Sequence, residues 1–273
     1  IGISMSTMVV SVSSLNRRSS PVINSDNLID TVSKGYSFDS TGEITNATGT
    51  WYKDGNGYYY WSGGLAQTTL PAQPTSTVNF SSQQIQSGTG ARSSYAQKFM
   101  SFINDTCNKY GINTPVRGLC FLAQIGHESG GLYYTEELAS GSEYEGKRDL
   151  GNTQPGDGVR FKGRGLIQIS GRNNYSIISK ELGIDFISFP TLLGGKNADQ
   201  STDEQLKNAS LSAGWFWNNH DINSIADKIM ISNPIDETDN LENFTRITVA
   251  INGGRNGLND RLARYKAGLQ YFS

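Results

Sequence analysis

Three glutamates could do chemistry together. Glu128 stands in Ile125-Gly126-His127-Glu128-Ser129-Gly130-Gly131, and Glu136 and Glu137 follow shortly after it. Glycoside hydrolysis uses two carboxyl groups, about 6.5–9.5 Å apart when a water attacks with inversion and about 5–5.5 Å apart in retention. Glu128 closes an apolar run, and the two glycines after it let a ligand approach the backbone. A carboxyl at such an edge suits a general acid. A solvated glutamate at a helix end fits the same residues equally well. Glu143 and Glu145, a little further on, are weaker partners.

The pair His127-Glu128 excludes one alternative. A zinc protease needs His-Glu-x-x-His, and here the fourth position after His127 is Gly131. His220 is the only other histidine. No metal site and no cofactor are expected, and His127 reads as a hydrogen-bonded brace of the loop.

The segment Phe161 to Tyr175 is the next dense one. Leu166, Ile167 and Ile169 look buried. Gln168, Ser170 and Asn174 carry short polar groups that can bond sugar hydroxyls or hold a water. Its glycines do not follow a strand with phosphate-binding spacing, so a nucleotide loop is not expected.

The elements that must position these residues read as follows. Residues 8 to 66 hold short extended runs, with a hairpin turn at Asp54-Gly55-Asn56-Gly57 between aromatic stretches. Short strands with turn signals suggest a small barrel. From Ser62 to Ala91 there is no charged residue, and Pro71 and Pro74 fall inside; residues 67–91 read as an uncharged flexible linker. From Arg92 the period becomes helical, with Tyr95, Phe99, Phe102, Ile103 and Tyr110 on one face. Gly111 ends that helix, and Thr114-Pro115 opens the next, which carries Glu128 near its C-terminus. Ser201-Thr202-Asp203-Glu204 starts another as a capping box. Residues 241 to 251 and 258 to 271 look like two more, divided by Asn252-Gly253-Gly254. The fold class is α+β and multidomain.

Composition narrows the partners. The 273 residues carry a formal net charge of -2, so a nucleic-acid partner is not expected. No run of apolar residues is long enough for membrane insertion. The first residues lack the pattern of a signal peptide. Cys107 and Cys120, the only two cysteines, read as buried thiols.

Three segments together resemble glycoside hydrolase family 19, the family of chitinases and phage endolysins. They are Ala123 to Gly131, Gly163 to Tyr175, and Ile251-Asn252-Gly253-Gly254 with Arg261 and Tyr265. The resemblance covers 92–273 and implies a mainly α, lysozyme-like catalytic domain. It implies Glu128 as general acid, Glu137 as general base and Ser170 as a holder of the attacking water. Gln168, Asn174, Asn252, Arg261 and His127 then fall on substrate-binding or site-supporting positions. Arg255-Asn256 stands where plant-type members carry a glutamate, so the ion pairs around Arg164 must be built differently. The loop Asp149 to Gly158 is closer to endolysins.

The N-terminal part, 1–66, resembles bacterial SH3-like cell-wall modules. The residues that carry this are Leu15 to Pro21, Val32 to Tyr36, and Trp51-Tyr52 through Tyr59-Tyr60-Trp61 with Leu65. Tyr58, Tyr59, Tyr60 and Trp61 are the expected wall contacts, and alternation puts one face of that run inside. The expected activity is a peptidoglycan hydrolase of the endolysin muramidase type. A chitinase, or a non-catalytic wall-binding protein, are the alternatives. The expected protein is a monomer acting on peptidoglycan or chitin at the cell wall, whether extracellular, periplasmic or released on lysis.

Overall fold

The computed structural model describes residues 7–67 and 77–272. The chain divides into two compact units, Ile1–Ser76 and Thr77–Ser273. Among the described residues no helix is long and apolar enough to cross a membrane.

The first unit contains β1 (Thr7–Val10), β2 (Ser14–Arg18), β3 (Leu28–Ser33), β4 (Ser37–Asp39), β5 (Gly42–Asn46), β6 (Gly49–Lys53), β7 (Tyr59–Trp61) and β8 (Leu65–Gln67). They form two antiparallel sheets, in the orders β4-β1-β8 and β3-β2-β7-β6-β5. The expected closed barrel is therefore replaced by two open sheets among the described residues. The two sheets share no strand, so among the described residues no ladder runs from one into the other to close a barrel. Met8, Val10, Leu15, Val32, Phe38 and Tyr60 fill the small core.

The hairpin joins β6 to β7. Asp54 Oδ1 accepts from the backbone N–H groups of Asn56 and Tyr58, each at 2.9 Å, and Gly57 takes φ +88°. The other oxygen of Asp54 accepts from the Tyr60 hydroxyl at 2.8 Å. Tyr60 is fully buried and stacks on Phe38, 4.0 Å between centroids. It is thus a core residue and unavailable as a wall contact. Trp61 is 41% exposed, while Tyr58 and Tyr59 are half-buried.

The second unit is helical: α1 (Ser82–Thr89), α2 (Ser93–Lys109), α3 (Pro115–Glu128), α4 (Asp157–Arg160), α5 (Arg172–Leu182), α6 (Asp203–Asn219), α7 (Ile222–Ala226), α8 (Thr238–Asn252) and α9 (Leu258–Leu269). Phe99, Ile103, Leu119, Phe121, Trp217 and Phe244 are among its buried centre. Phe121 meets Trp217 edge to face at 5.3 Å. Cys107 and Cys120 are buried free thiols, and burial pushes both well above the ordinary thiol range.

Two expectations change here. Of the expected linker, residues 68–76 lie outside the described residues, Gln67 ends β8, and residues 77–91 belong to the helical unit. Asn108 and Asn104 side chains bond the backbone of Val78 and Phe80. Ser81 and Gln84 then form a capping box for α1, whose Ile85 is fully buried. The lack of charge reflects a packed helix rather than a spacer. The cap of α6 also sits one residue later than expected. Ser201 Oγ is spent on Asn197 O at 2.7 Å, so Thr202 caps, with Gln205 completing the box.

Close approach of α1 and α3 brings Glu128 to its place. A Cβ on Gly126 would lie 2.4 Å from the Thr89 carbonyl oxygen. Backbone cannot yield as a side chain tip can. Gly126→Ala should therefore lower stability by about 1–3 kcal/mol, read from a urea midpoint; an unchanged midpoint would show that the helices are not in this contact.

Candidate active site

Glu128 is the last residue of α3, and its position is set by charge. The Arg261 guanidinium, on α9, is 1% exposed. Its Nη2 donates to Glu128 Oε1, and its Nη1 donates to Gln124 Oε1 at 2.8 Å. Gln124 Nε2 in turn donates to Thr248 Oγ1 on α8 at 3.2 Å. Gln124 and Glu128 are one helical turn apart, so a single guanidinium spans both. Glu128 Oε2 has no hydrogen-bond partner among the described residues. It is the oxygen left to meet a ligand.

His127 faces α9 instead. Its Nδ1 lies 2.7 Å from Asp260 Oδ2, which also accepts from Arg264 Nε at 2.7 Å. Gly257 makes room for the ring, since a Cβ there would lie 2.2 Å from it. Burial pushes the Asp260 carboxyl up, but Arg264 and His127 outweigh it and hold it below the ordinary range. His127 is thus a brace for α3 against α9.

Glu136 and Glu137 follow a tight turn in which Ser129 O accepts from both Tyr133 and Tyr134. They lie in an extended segment, so their side chains diverge. Glu136 is tied up: Lys162 Nζ is 3.0 Å from one oxygen and Arg164 Nε 2.8 Å from the other. Arg164 is buried and also donates to Arg160 O and the Tyr175 hydroxyl. This is how the ion pairs around Arg164 are built without an acid after the Asn-Gly-Gly turn. Glu145 serves a different loop, accepting from Gly156 N–H and Gly158 N–H.

Glu137 is held by two neutral donors and by no cation. Its Oε1 accepts from Gly163 N–H at 2.9 Å, and its Oε2 accepts from the Tyr144 hydroxyl at 3.0 Å. Burial, with the Glu137 charge, pushes the Tyr144 phenol up to about 12, so it stays a donor at neutral pH. A carboxylate offers about four acceptor positions, which leaves Glu137 room for a water.

Gln168 reaches the same place. It has φ +59°, a region where side chains other than glycine are strained. Its Nε2 donates to Gly165 O at 3.0 Å, while its buried Oε1 has no partner among the described residues. That oxygen and Glu137 Oε2 both lie within 3.2 Å of where a Gly163 Cβ would be. Asn174 Nδ2 donates to Ser170 O at 2.9 Å, and Ser170 Oγ is unpartnered among the described residues. Asn252 ends α8 in an exposed loop, donating to Asn256 O at 3.2 Å.

The structure therefore gathers Glu128 with Arg261 and His127, and Glu137 with Gln168 beside Gly163. Sequence reading missed Gln124, Tyr144, Lys162 and Asp260. Of these, only Gln124 carried a usable signal, its one-turn spacing from Glu128. Among the described residues no group of three or more His, Cys, Asp and Glu is placed to hold a metal ion.

No family profile matches the chain. A glycosyl hydrolase family 19 domain-containing protein of Haemophilus influenzae is 29% identical over 197 residues, covering 60% of this chain and 84% of that protein. An Arabidopsis thaliana endochitinase is 35% identical over 97 residues, 36% of this chain and 30% of that protein. The crystal structure of a bacterial family 19 chitinase superposes with a TM-score of 0.50 at 22% identity, covering 72% of this chain and 96% of that one. The chain is accordingly a glycoside hydrolase, similar in sequence to a family 19 protein and in fold to a bacterial family 19 chitinase.

Two outcomes follow from the charges. Arg261→Met should cost about 3–5 kcal/mol of stability, because it leaves the Glu128 carboxylate without its buried partner; a thermal midpoint equal to wild type would contradict the pairing. Asp157, 1% exposed, is held below the ordinary carboxyl range by Arg172, which anchors the start of α5. A depressed folded value stabilises the protein above the unfolded value of about 3.9. Asp157→Asn should therefore lose stability at pH 7 and down to about pH 5, with the difference shrinking as pH falls further. Urea melts across pH check this, and a difference that grows in acid would refute it.

Proposed function

We propose that the chain is a peptidoglycan hydrolase, an endolysin-type muramidase that cleaves the β-1,4 bond between amino sugars with inversion. The observation that carries the reading is the unequal use of the glutamates. Glu136 is ion-paired to both Lys162 and Arg164, and Glu145 is bonded to the Gly156–Gly158 turn. Glu128 keeps one oxygen unpartnered among the described residues, and Glu137 meets only neutral donors and stands beside Gln168 at Gly163.

Glu128 gives its proton to the leaving glycosidic oxygen as the C–O bond breaks. Glu137 takes a proton from a water, whose oxygen forms the new bond at the opposite face of the sugar carbon. The β bond thus yields an α product. Ser170 Oγ holds that water, and Gln168 supports the substrate site by bracing the Gly163–Gly165 turn beside Glu137. Asn174 fixes the Ser170 backbone, and Asn252 reaches substrate from the rim. Arg261 and His127 act on Glu128 by position. In the first unit, the exposed Trp61 with Tyr58 and Tyr59 are the proposed wall contacts, and the cell wall is the proposed place of action.

Peptidoglycan is preferred because of the endolysin-like loop from Asp149 to Gly158 and the aromatic first unit. Chitin is the second reading, favoured by the 35% identity to a plant endochitinase. Clearing of purified cell walls separates them. Wild type should clear the suspension, and Glu128→Gln and Glu137→Gln should each slow it by about 10²–10⁴-fold. No clearing of walls alongside cleavage of a soluble chitin oligomer would overturn the muramidase reading. Proton NMR of early products should show the α anomer first; a β anomer would overturn inversion.

A further inference from the structure

A polar cavity of about 480 Å³ opens beside the turn that follows Glu128, and the chemistry above does not use it. Its floor is Gly90, Gly130 and Gly131. All three have positive φ, and a Cβ on Gly131 would lie 3.0 Å from Gly90 O, so the floor is bare backbone by necessity. Tyr95, Tyr133 and Tyr134 form the walls, with ring centroids 5.6 and 4.8 Å apart in succession.

Two opposite charges face this space. Arg92 is exposed, and its guanidinium lies 6.0 Å from the Tyr95 ring centroid. It has no carboxylate or hydrogen-bond partner among the described residues. Asp199 Oδ2 accepts from the Tyr95 hydroxyl at 2.9 Å, leaving Oδ1 without a partner there. The hydroxyls of Tyr133 and Tyr134 are likewise unpartnered among the described residues. The cavity thus offers a cation that can pair a carboxylate in a fork, an acceptor for N–H groups, and flat rings for short aliphatic parts.

We infer that this cavity binds the short peptide branch of peptidoglycan, with Arg92 taking its carboxylate and Asp199 Oδ1 accepting from its N–H groups. The inference rests on the peptidoglycan reading. A peptide branch carries both charges on a flexible chain, whereas chitin has no charged branch for Arg92 to meet. Gly130 lies two residues after Glu128, so a branch in the cavity would hang beside the sugar being cut. Arg92 is then a specificity-determining residue that distinguishes a substituted glycan from a plain one.

The test compares Arg92→Gln and Tyr134→Phe with wild type on two glycans: intact peptidoglycan, and the same material with its peptides removed by an amidase. Arg92→Gln should lower kcat/KM about five- to tenfold on the intact glycan and leave the stripped glycan within about twofold. Tyr134→Phe should act in the same direction and more weakly. Equal losses on both glycans, or no loss on either, would overturn the inference. Binding is measured separately, by NMR titration of the whole protein with a synthetic acidic stem peptide. Shifts confined to the cavity and abolished in Arg92→Gln support the site even if no glycan is cut, a result that would count only against the muramidase reading. No shift with wild type would overturn the site itself.

Discussion

A guanidinium cut off from water must be paired by the protein that buries it, because an uncompensated interior charge costs several kcal/mol. Arg261 is that group here, and its partners dictate the assembly around it. It needs Glu128 and Gln124 from α3, and Gln124 needs Thr248 from α8. Three helices are thereby fixed in angle and register. The close contacts follow from the same demand, with Gly126 against Thr89 and Gly257 under His127. Glu128 is held through one oxygen and left open to a ligand at the other.

The second half of the site repeats the device. Arg164 is buried and takes Glu136, which frees the neighbouring Glu137 to face the opposite way. Backbone bonds among 135–137, 163–165 and 169 make a small ladder that holds both glutamates. In each half one carboxyl oxygen or one carboxylate satisfies a buried cation, and another is left for chemistry. The loops between them are long, yet they are pinned by side chains on backbone. Glu145 caps Gly156 and Gly158, and Asn152 accepts from Arg172 N–H and donates to Tyr144 O.

Much of this was legible in the amino-acid order. Thr114-Pro115, Gly111 and the apolar periods located α2 and α3, because caps and faces are local properties. The hairpin at Asp54 was legible for the same reason. The barrel was not, because closure depends on pairing between distant strands. Nor was α1, since a helix with no charge looks like a spacer until its capping box and buried Ile85 are seen packing. Which glutamate is ion-paired and which meets only neutral donors depends on Lys162, Arg164 and Gly163, some twenty-five residues away in sequence. No spacing rule within one loop carries that information.

The β unit and the helical unit each satisfy their own cores, and the claim that unites them is the bond that is cut. Mass spectrometry of peptidoglycan digested by the enzyme and then reduced with borohydride tests it most directly. Cleavage by the muramidase route gives fragments whose new reducing end is a reduced N-acetylmuramic acid. A reduced N-acetylglucosamine at the new end, or no new glycan ends at all, would contradict it.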